Sequence, residues 1–376
     1  SNTVHVPFHQ FLARQGHLGQ GYKASNVGKL QLRLASFNIK AYGAGTVESL
    51  VEERTRNLAQ VIYQSRSMIV ALQEISKKID KENIAHKALL CRVLEERDPG
   101  CGWTCTEVVE EHAMLYQRNH LAEFMGCEPA DLQVKSRQYQ HTGVPFPEPF
   151  EAATNWSRVG ADPSKRYDYN MQGASAAHAP GTNRVRLPAL FFVTNKKPYS
   201  APEFRSIFVC SVHLVFAGGG KSDTRDEQLM HLGSLMPGPG YDCAKCLYAL
   251  VGDMNSDASV GEKGKDLASS GGFGDKVMAA IDKVSPGHRL GLPEGAVTNV
   301  AEDDPKRYDE VIVHCEAITK NRHAQVYPKR GNMPQGKKRL EAVGSVRLKK
   351  YQNVHQAFSN VFTDHLLVFV DLAFQE

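Results

Sequence analysis

Eight short runs of apolar, largely β-branched residues recur along the chain, at 30–39, 68–73, 113–117, 187–193, 206–214, 247–252, 308–313 and 366–372. Each has the length of a strand. Because the apolar positions are consecutive rather than alternating, each reads as a strand covered on both faces. Between them, residues 47–64, 84–94 and 226–235 place apolar side chains three and four positions apart, the spacing of a helix with one buried stripe. Strand–helix–strand steps alternate with direct strand-to-strand steps. That order predicts an α/β fold of mixed sheets whose outer faces carry helices.

Two stretches break the rhythm. Residues 119–185 are rich in Pro, Asn, Gly and Tyr with little periodicity, and residues 314–355 form a second irregular stretch. Between 320 and 350, ten Lys or Arg residues, Lys337, Lys338 and Arg339 among them, stand against one acid, Glu341. The expected organisation is an N-terminal extension, 1–29, and one domain, 30–376, with insertions near 119–185 and 314–355. At 376 residues the chain is long enough to bury a large core without staples. Its net charge of +4 suits a polyanionic partner only where the positive charge is gathered, as it is in the second stretch. No run of about 18 apolar residues occurs, and Ser1-Asn2-Thr3-Val4 has neither a basic nor an apolar signal character. A soluble protein is expected, or a secreted one whose signal peptide has been removed. The eight cysteines are scattered, with Cys243 and Cys246 as a close pair and Cys101 and Cys105 as a looser one. A four-thiolate zinc site would require these pairs to meet; buried thiols or an occasional disulfide are the simpler reading.

Polar residues interrupt the strands at or just beyond their C-terminal ends, where α/β sheets place ligands. Asn38 closes Ala35-Ser36-Phe37-Asn38, Glu74 closes Ala71-Leu72-Gln73-Glu74, and His213 sits in Cys210-Ser211-Val212-His213-Leu214. Asp253 and Asn255 follow Leu250-Val251-Gly252, Asp309 lies in Arg307-Tyr308-Asp309-Glu310, and Asp364-His365 precedes the last run. Singly, each has an ordinary explanation: a turn former for Asn38 or Asp309, a helix N-terminal acid for Glu74, a satisfied core imidazole for His213. Together they supply hard oxygen ligands of the kind Mg²⁺, Mn²⁺ and Ca²⁺ prefer, and two imidazoles for proton transfer.

In this order the motifs resemble the endonuclease/exonuclease/phosphatase superfamily, and most of all its deoxyribonuclease I-like branch. LRLASFNIKAY (32–42) is similar to the branch's first strand, and IVALQE (69–74) to the strand ending in its metal-binding Glu. Ser211-Val212-His213 resembles the catalytic His strand, and Val251-Gly252-Asp253-Met254-Asn255 the Gly-Asp-x-Asn signature, the most specific piece. Tyr308-Asp309-Glu310 resembles the Tyr-Asp-Arg strand, with Glu310 in place of the usual Arg, and Thr363-Asp364-His365 the terminal Ser-Asp-His. Glu111 stands where the branch keeps the partner of its first catalytic His, and Arg186-Leu187-Pro188-Ala189 resembles its phosphate-contact segment.

The resemblance implies a four-layer α/β sandwich, two packed mixed β-sheets flanked by helices. It implies a Mg²⁺ site, with Mn²⁺ or Ca²⁺ as alternatives, in which Glu74 binds the metal and Asn38, Asp253, Asn255 and Asp364 complete or orient the site. Glu111 would hold His213, Asp309 would hold His365, and Arg186 would clamp the phosphate. The expected activity is endonucleolytic hydrolysis of DNA, with Lys337, Lys338 and Arg339 contacting phosphates away from the cut. Two alternatives stand beside it: a phosphoesterase for inositol phosphates or sphingomyelin, and an inactive binding module that keeps the fold.

Overall fold

The computed structural model describes residues 31–42, 50–75, 86–138, 188–198, 201–214, 229, 232–237, 241–256, 273–292, 296, 298–299, 307–318, 325–327 and 362–375. The apolar runs form the centres of two sheets. The first has the order β11-β12-β1-β2-β4-β3 and contains β1 (Leu32–Tyr42), β2 (Ile69–Ile75), β3 (Trp103–Cys105), β4 (His112–Gln117), β11 (Gln325–Tyr327) and β12 (Leu367–Leu372). The second has the order β5-β6-β7-β8-β10-β9 and contains β5 (Leu132–Gln138), β6 (Ala189–Asn195), β7 (Ser206–His213), β8 (Cys246–Asp253), β9 (His288–Leu290) and β10 (Asp309–His314).

The two sheets share one plan. Each has a central parallel pair, β1 with β2 and β7 with β8, and antiparallel neighbours on either side. The inner faces meet in one apolar layer, where Leu34, Ile69 and Met114 of the first sheet pack with Phe191, Val209 and Val251 of the second. The outer face of the first sheet carries α1 (Val51–Ser65) and α2 (His86–Arg97), through Leu58, Ile62, Leu90 and Leu94. That of the second carries α4 (Phe273–Val284), through Val277 and Ile281, and a 3₁₀ turn, Leu232–Leu235. The result is the four-layer sandwich, helix–sheet–sheet–helix. Burial on both faces explains why β7 and β8 read as unbroken apolar runs.

One charged pair lies within this frame. Arg33 and Asp371 face each other across β1 and β12, joined by two hydrogen bonds of 2.7 and 2.9 Å, both nearly inaccessible to solvent. The guanidinium also donates to the Ser65 carbonyl at 2.8 Å and lies over the Phe369 ring. Its donors are thus engaged by the β1–β12 register and by the end of α1.

Several sequence expectations need correction. The stretch assigned to an insertion from residue 119 begins with core structure: Arg118–Met125 is helix α3, and β5 pairs with β6 from Leu132 to Gln138. Likewise β11, inside 314–355, pairs with β12. Residues 139–185, 319–324 and 328–355 and the extension 1–29 lie outside the described residues. The helix expected at 226–235 has helical Leu229 and then the 3₁₀ turn. The two cysteine pairs do not meet: Cys243 and Cys246 point to opposite faces of the second sheet, while Cys101 and Cys105 pack on the outer face of the first. All eight cysteines are free thiols.

Candidate active site

The shared plan of the sheets puts the C-terminal ends of the two parallel pairs at one end of the sandwich. Asn38 comes from β1, Glu74 from β2, His213 from β7 and Asp253 from β8. The strands that return antiparallel beside them begin at the same end, bringing Glu111 just before β4 and Asp309 as the first residue of β10. Each of these acids reaches the histidine of the other sheet. Glu111 Oε1 lies 2.7 Å from His213 Nδ1, and Asp309 Oδ2 lies 2.8 Å from Nδ1 of His365, just before β12.

The free edges of both rings then face a common point. His213 Nε2 is 3.6 Å from Asp253 Oδ2 and 3.6 Å from Glu74 Oε1, and His365 Nε2 is 3.7 Å from the same Asp253 oxygen. Asn38 Nδ2 bridges the carboxylates, donating to Asp253 at 2.9 Å and to Glu74 at 3.1 Å, while its Oδ1 accepts the Lys40 backbone N–H at 2.9 Å. Asn38 is therefore arranged here as a donor that holds two acids together, rather than as an oxygen ligand. The Asn255 backbone N–H donates to Asp253 Oδ1 at 2.8 Å, and its side chain ties the Leu214 carbonyl at 2.7 Å.

The backbone is bent to achieve this. Among the described non-glycine residues, Lys40, Arg66, Glu74, Glu110 and Asn255 have positive φ, and all but Arg66, a helix C-cap, adjoin the site. Such conformations cost roughly 1 kcal/mol or more each and persist where surrounding contacts impose them. Gly252 has the same purpose: at φ +138, a Cβ there would stand 1.9 Å from the Val212 carbonyl oxygen. Only glycine lets β7 and β8 approach closely enough to set His213 beside Asp253.

Sequence reasoning missed several supporting residues. Lys40 Nζ pairs with Asp364. The buried Arg54 guanidinium donates to the Phe362 carbonyl at 2.9 Å and to that of Ile39 at 2.7 Å, as well as to Lys40, fastening the end of β1 to the Thr363–His365 segment. Burial lowers its pKa to about 10, which leaves it charged at neutral pH. Thr298 Oγ1 accepts the backbone N–H groups of Tyr308 and Asp309 at 2.9 Å, and Asn299 touches His365 Nε2 at 3.2 Å. Lys40 lies two residues from Asn38, a proximity legible in the sequence; the others are joined only by the fold.

The electrostatics follow from burial. Desolvation, reinforced by Asp309 and Glu74, pushes the Asp253 carboxyl up to about 7 although His365 opposes the shift. Burial by itself lowers the His365 imidazole, but Asp309, Asp253 and Asp364 outweigh it and raise it to about 10. The ring is then an imidazolium, and Asn299 would present its Oδ1 to it, the amide rotamer opposite to that of the 3.2 Å contact. Five acids converge here, Glu74, Glu111, Asp253, Asp309 and Asp364, against Lys40, Arg54 and a charged His365, a net formal charge of 3 − 5 = −2 with all acids ionised. An all-oxygen set with such an excess fits a divalent cation. Asp253, Asp309 and His365 have ligand atoms within 4.8 Å of one another, but Asp309 and His365 already occupy each other. Partly exposed Glu74 marks the open side.

Arg186, Lys337, Lys338 and Arg339 lie outside the described residues. Glu310, the departure from the family pattern, is fully buried and paired with Arg307, and its carboxylate also accepts the Val311 N–H at 2.9 Å. It braces β10 and does not enter the site. A separate cleft, lined by Asn119, Glu123, Pro129 and Lys196, contains none of these groups.

No protein-family model matches the sequence, and no curated protein matches it. Solved structures with a similar chain path include an endonuclease/exonuclease/phosphatase from Bacteroides vulgatus, 10% identical, covering 92% of this chain and 100% of that one at a TM-score of 0.43. Truncated TDP2 of Caenorhabditis elegans is 10% identical over 92% of this chain and 98% of that one, TM-score 0.43. The human Nocturnin catalytic domain is 13% identical over 95% of this chain and 100% of that one, TM-score 0.44. The likeness is of chain path; the chemistry rests on the side chains. Among the described residues no helix is long and apolar enough to cross a membrane.

Proposed function

We propose that this chain is a divalent-metal-dependent phosphodiesterase that hydrolyses nucleic-acid backbone, with DNA as its substrate. One observation carries the reading: two imidazoles, each oriented by a carboxylate of the opposite sheet, face the same Asp253 oxygen at 3.6 and 3.7 Å. Cleaving a phosphodiester needs one group to take a proton from water and another to give one to the leaving oxygen. Two opposed, separately oriented imidazoles meet that need.

In this account Glu74, Asp253 and Asp364 would hold the cation, with Asn38 and Asn255 fixing the carboxylates. Bound there, Mg²⁺, Mn²⁺ or Ca²⁺ would neutralise the phosphate and polarise its oxygen. His365, charged at neutral pH, donates the proton at Nε2. His213, whose Nδ1 is engaged by Glu111, accepts one at Nε2. The proposal gives Arg186 the phosphate, and Lys337, Lys338 and Arg339 the flanking backbone.

The test is supercoiled plasmid incubated with the protein and Mg²⁺, with and without EDTA, beside His213→Ala. Metal-dependent relaxation that the variant loses supports the reading. Plasmid left intact with Mg²⁺, Mn²⁺ and Ca²⁺ overturns the DNA assignment, and RNA, inositol phosphates and sphingomyelin then become the substrates to try.

A further inference from the structure

At the opposite end of the second sheet lies a cluster that this chemistry does not use. Cys243 precedes β8, at the other end of the strand from Asp253, and His314 closes β10, which begins at Asp309. The cluster is thus about 25 Å from the candidate active site, the length of β8. Cys243 Sγ, His314 Nδ1 and a Glu316 carboxylate oxygen all lie within 4.8 Å of one another. The sulfur is 3.2 Å from Nδ1, and the carboxylate oxygen is 3.9 Å from the same nitrogen.

That shared nitrogen decides between two kinds of chemistry. A thiol nucleophile activated by an imidazole needs its acid on the other ring nitrogen, to orient the base from behind. Here the other nitrogen, Nε2, rests on Gly287, where a Cβ would stand only 2.4 Å away, and sulfur and carboxylate both approach Nδ1, as does the Glu316 backbone N–H at 3.4 Å, a bond that a cation would replace. Three ligand atoms of mixed type, sulfur, nitrogen and oxygen, within 4.8 Å of one another suit a cation. A tetrahedral zinc ion, with bonds of about 2.3 Å to sulfur, 2.0 Å to nitrogen and 2.1 Å to oxygen, sets S···N about 3.5 Å and N···O about 3.4 Å apart. The observed 3.2 and 3.9 Å lie within about half an ångström of these, and the sulfur-to-oxygen separation, within 4.8 Å, would close to about 3.6 Å.

The surroundings hold the donors in place. Tyr241 exchanges a hydrogen bond with the Cys243 sulfur, and its oxygen accepts the Tyr248 backbone N–H at 2.9 Å. The ring of Tyr241 packs against His314 with centroids 5.3 Å apart, and His288 meets the His314 ring edge-on at 5.0 Å. Near the C-terminus, Gln375 donates to the carbonyls of both Cys243 and Glu316. Cys243 is buried, His314 partly so and Glu316 exposed, which leaves the fourth position open to water.

We infer that Cys243, His314 and Glu316 form a second metal site, selective for a borderline cation such as Zn²⁺ over the hard ions suited to the all-oxygen set. Bound there, the ion would tie the start of β8 to the end of β10 and keep one position for water.

Co²⁺ titrated into the full chain carrying Glu74→Gln, which weakens the candidate active site, reports ligation by its spectrum. One equivalent with a thiolate-to-cobalt charge-transfer band and tetrahedral ligand-field intensity is expected, displaced by Zn²⁺ but not by Mg²⁺. Cys243→Ser should abolish the band. Glu316→Gln, at an exposed position that does not endanger folding, should weaken Co²⁺ binding at least about tenfold. No thiolate band in the parent protein, a band that survives Cys243→Ser, or unchanged affinity in Glu316→Gln would each overturn the assignment. Since none of these readouts is activity, the result is independent of whether the protein cuts DNA.

Discussion

Replacing Asp309 by Asn keeps the shape of the side chain and removes its charge, so it isolates what that carboxylate does for His365. The Nδ1···Oδ2 bond is 2.8 Å, with both groups almost wholly buried. A hydrogen bond to a charged group is worth about 1.5–3 kcal/mol, so the imidazolium should hold its proton roughly ten- to a hundredfold less tightly in the variant. The sign is definite: His365 stands at about 10 because nearby acids outweigh burial, and removing one lets burial pull it down. Histidine-selective NMR should find His365 titrating at lower pH in Asp309→Asn than in the parent. The alkaline limb of kcat/KM should move in the same direction by about one to two pH units. Equal titration curves in a correctly folded variant would refute the assigned role of Asp309.

Three further outcomes are expected. Asp371→Ala leaves the Arg33 guanidinium buried without its partner and should cost about 3–5 kcal/mol in urea unfolding, whereas Arg33→Met with Asp371→Leu should cost much less; equal losses would mean that packing, not charge, sets the value. His288 is held neutral by burial, its pKa lowered to about 3, so it stabilises the fold above its unfolded value of 6.5 and loses that contribution as pH falls from there toward 3; His288→Gln should flatten the acid side of the stability curve, by a few kcal/mol at most, and an unchanged slope would contradict this. The triple variant Lys337→Ala, Lys338→Ala, Arg339→Ala should reduce the slope of log K against log salt for plasmid binding by about 2.7, and an unaltered slope would remove these residues from the interface.

The central strands were legible because each is covered on both faces, which forces an uninterrupted apolar run. What escaped notice lay at the edges. Strand β5, LQVKSRQ, pairs on one side only and is mostly half-buried, with Lys135 exposed, so its polar residues blend into the irregular stretch after it. Helix α4 has its buried stripe at Val277 and Ile281, but it follows a glycine-rich stretch that hides its start. In the site, Asn38, Glu74, Glu111, His213, Asp253, Asp309 and His365 were indicated by motif order, and the fold brings them together. Arg54 could not be found that way: its partner Phe362 is 308 residues distant, and nothing local distinguishes it from any helix arginine. Glu310 was read as a departure in the site, although Arg307, three residues earlier, was already in view as its partner.

The most direct measurement compares two diesters, a DNA oligonucleotide with its poor alkoxide leaving group and a bis(nitrophenyl) phosphate whose leaving group needs no proton, in His365→Ala and His213→Ala. The account predicts that His365→Ala loses about 10²–10⁴ in kcat/KM on DNA but far less on the activated diester, while His213→Ala loses on both. Equal losses of the two variants on both substrates would contradict the division of labour between the two imidazoles.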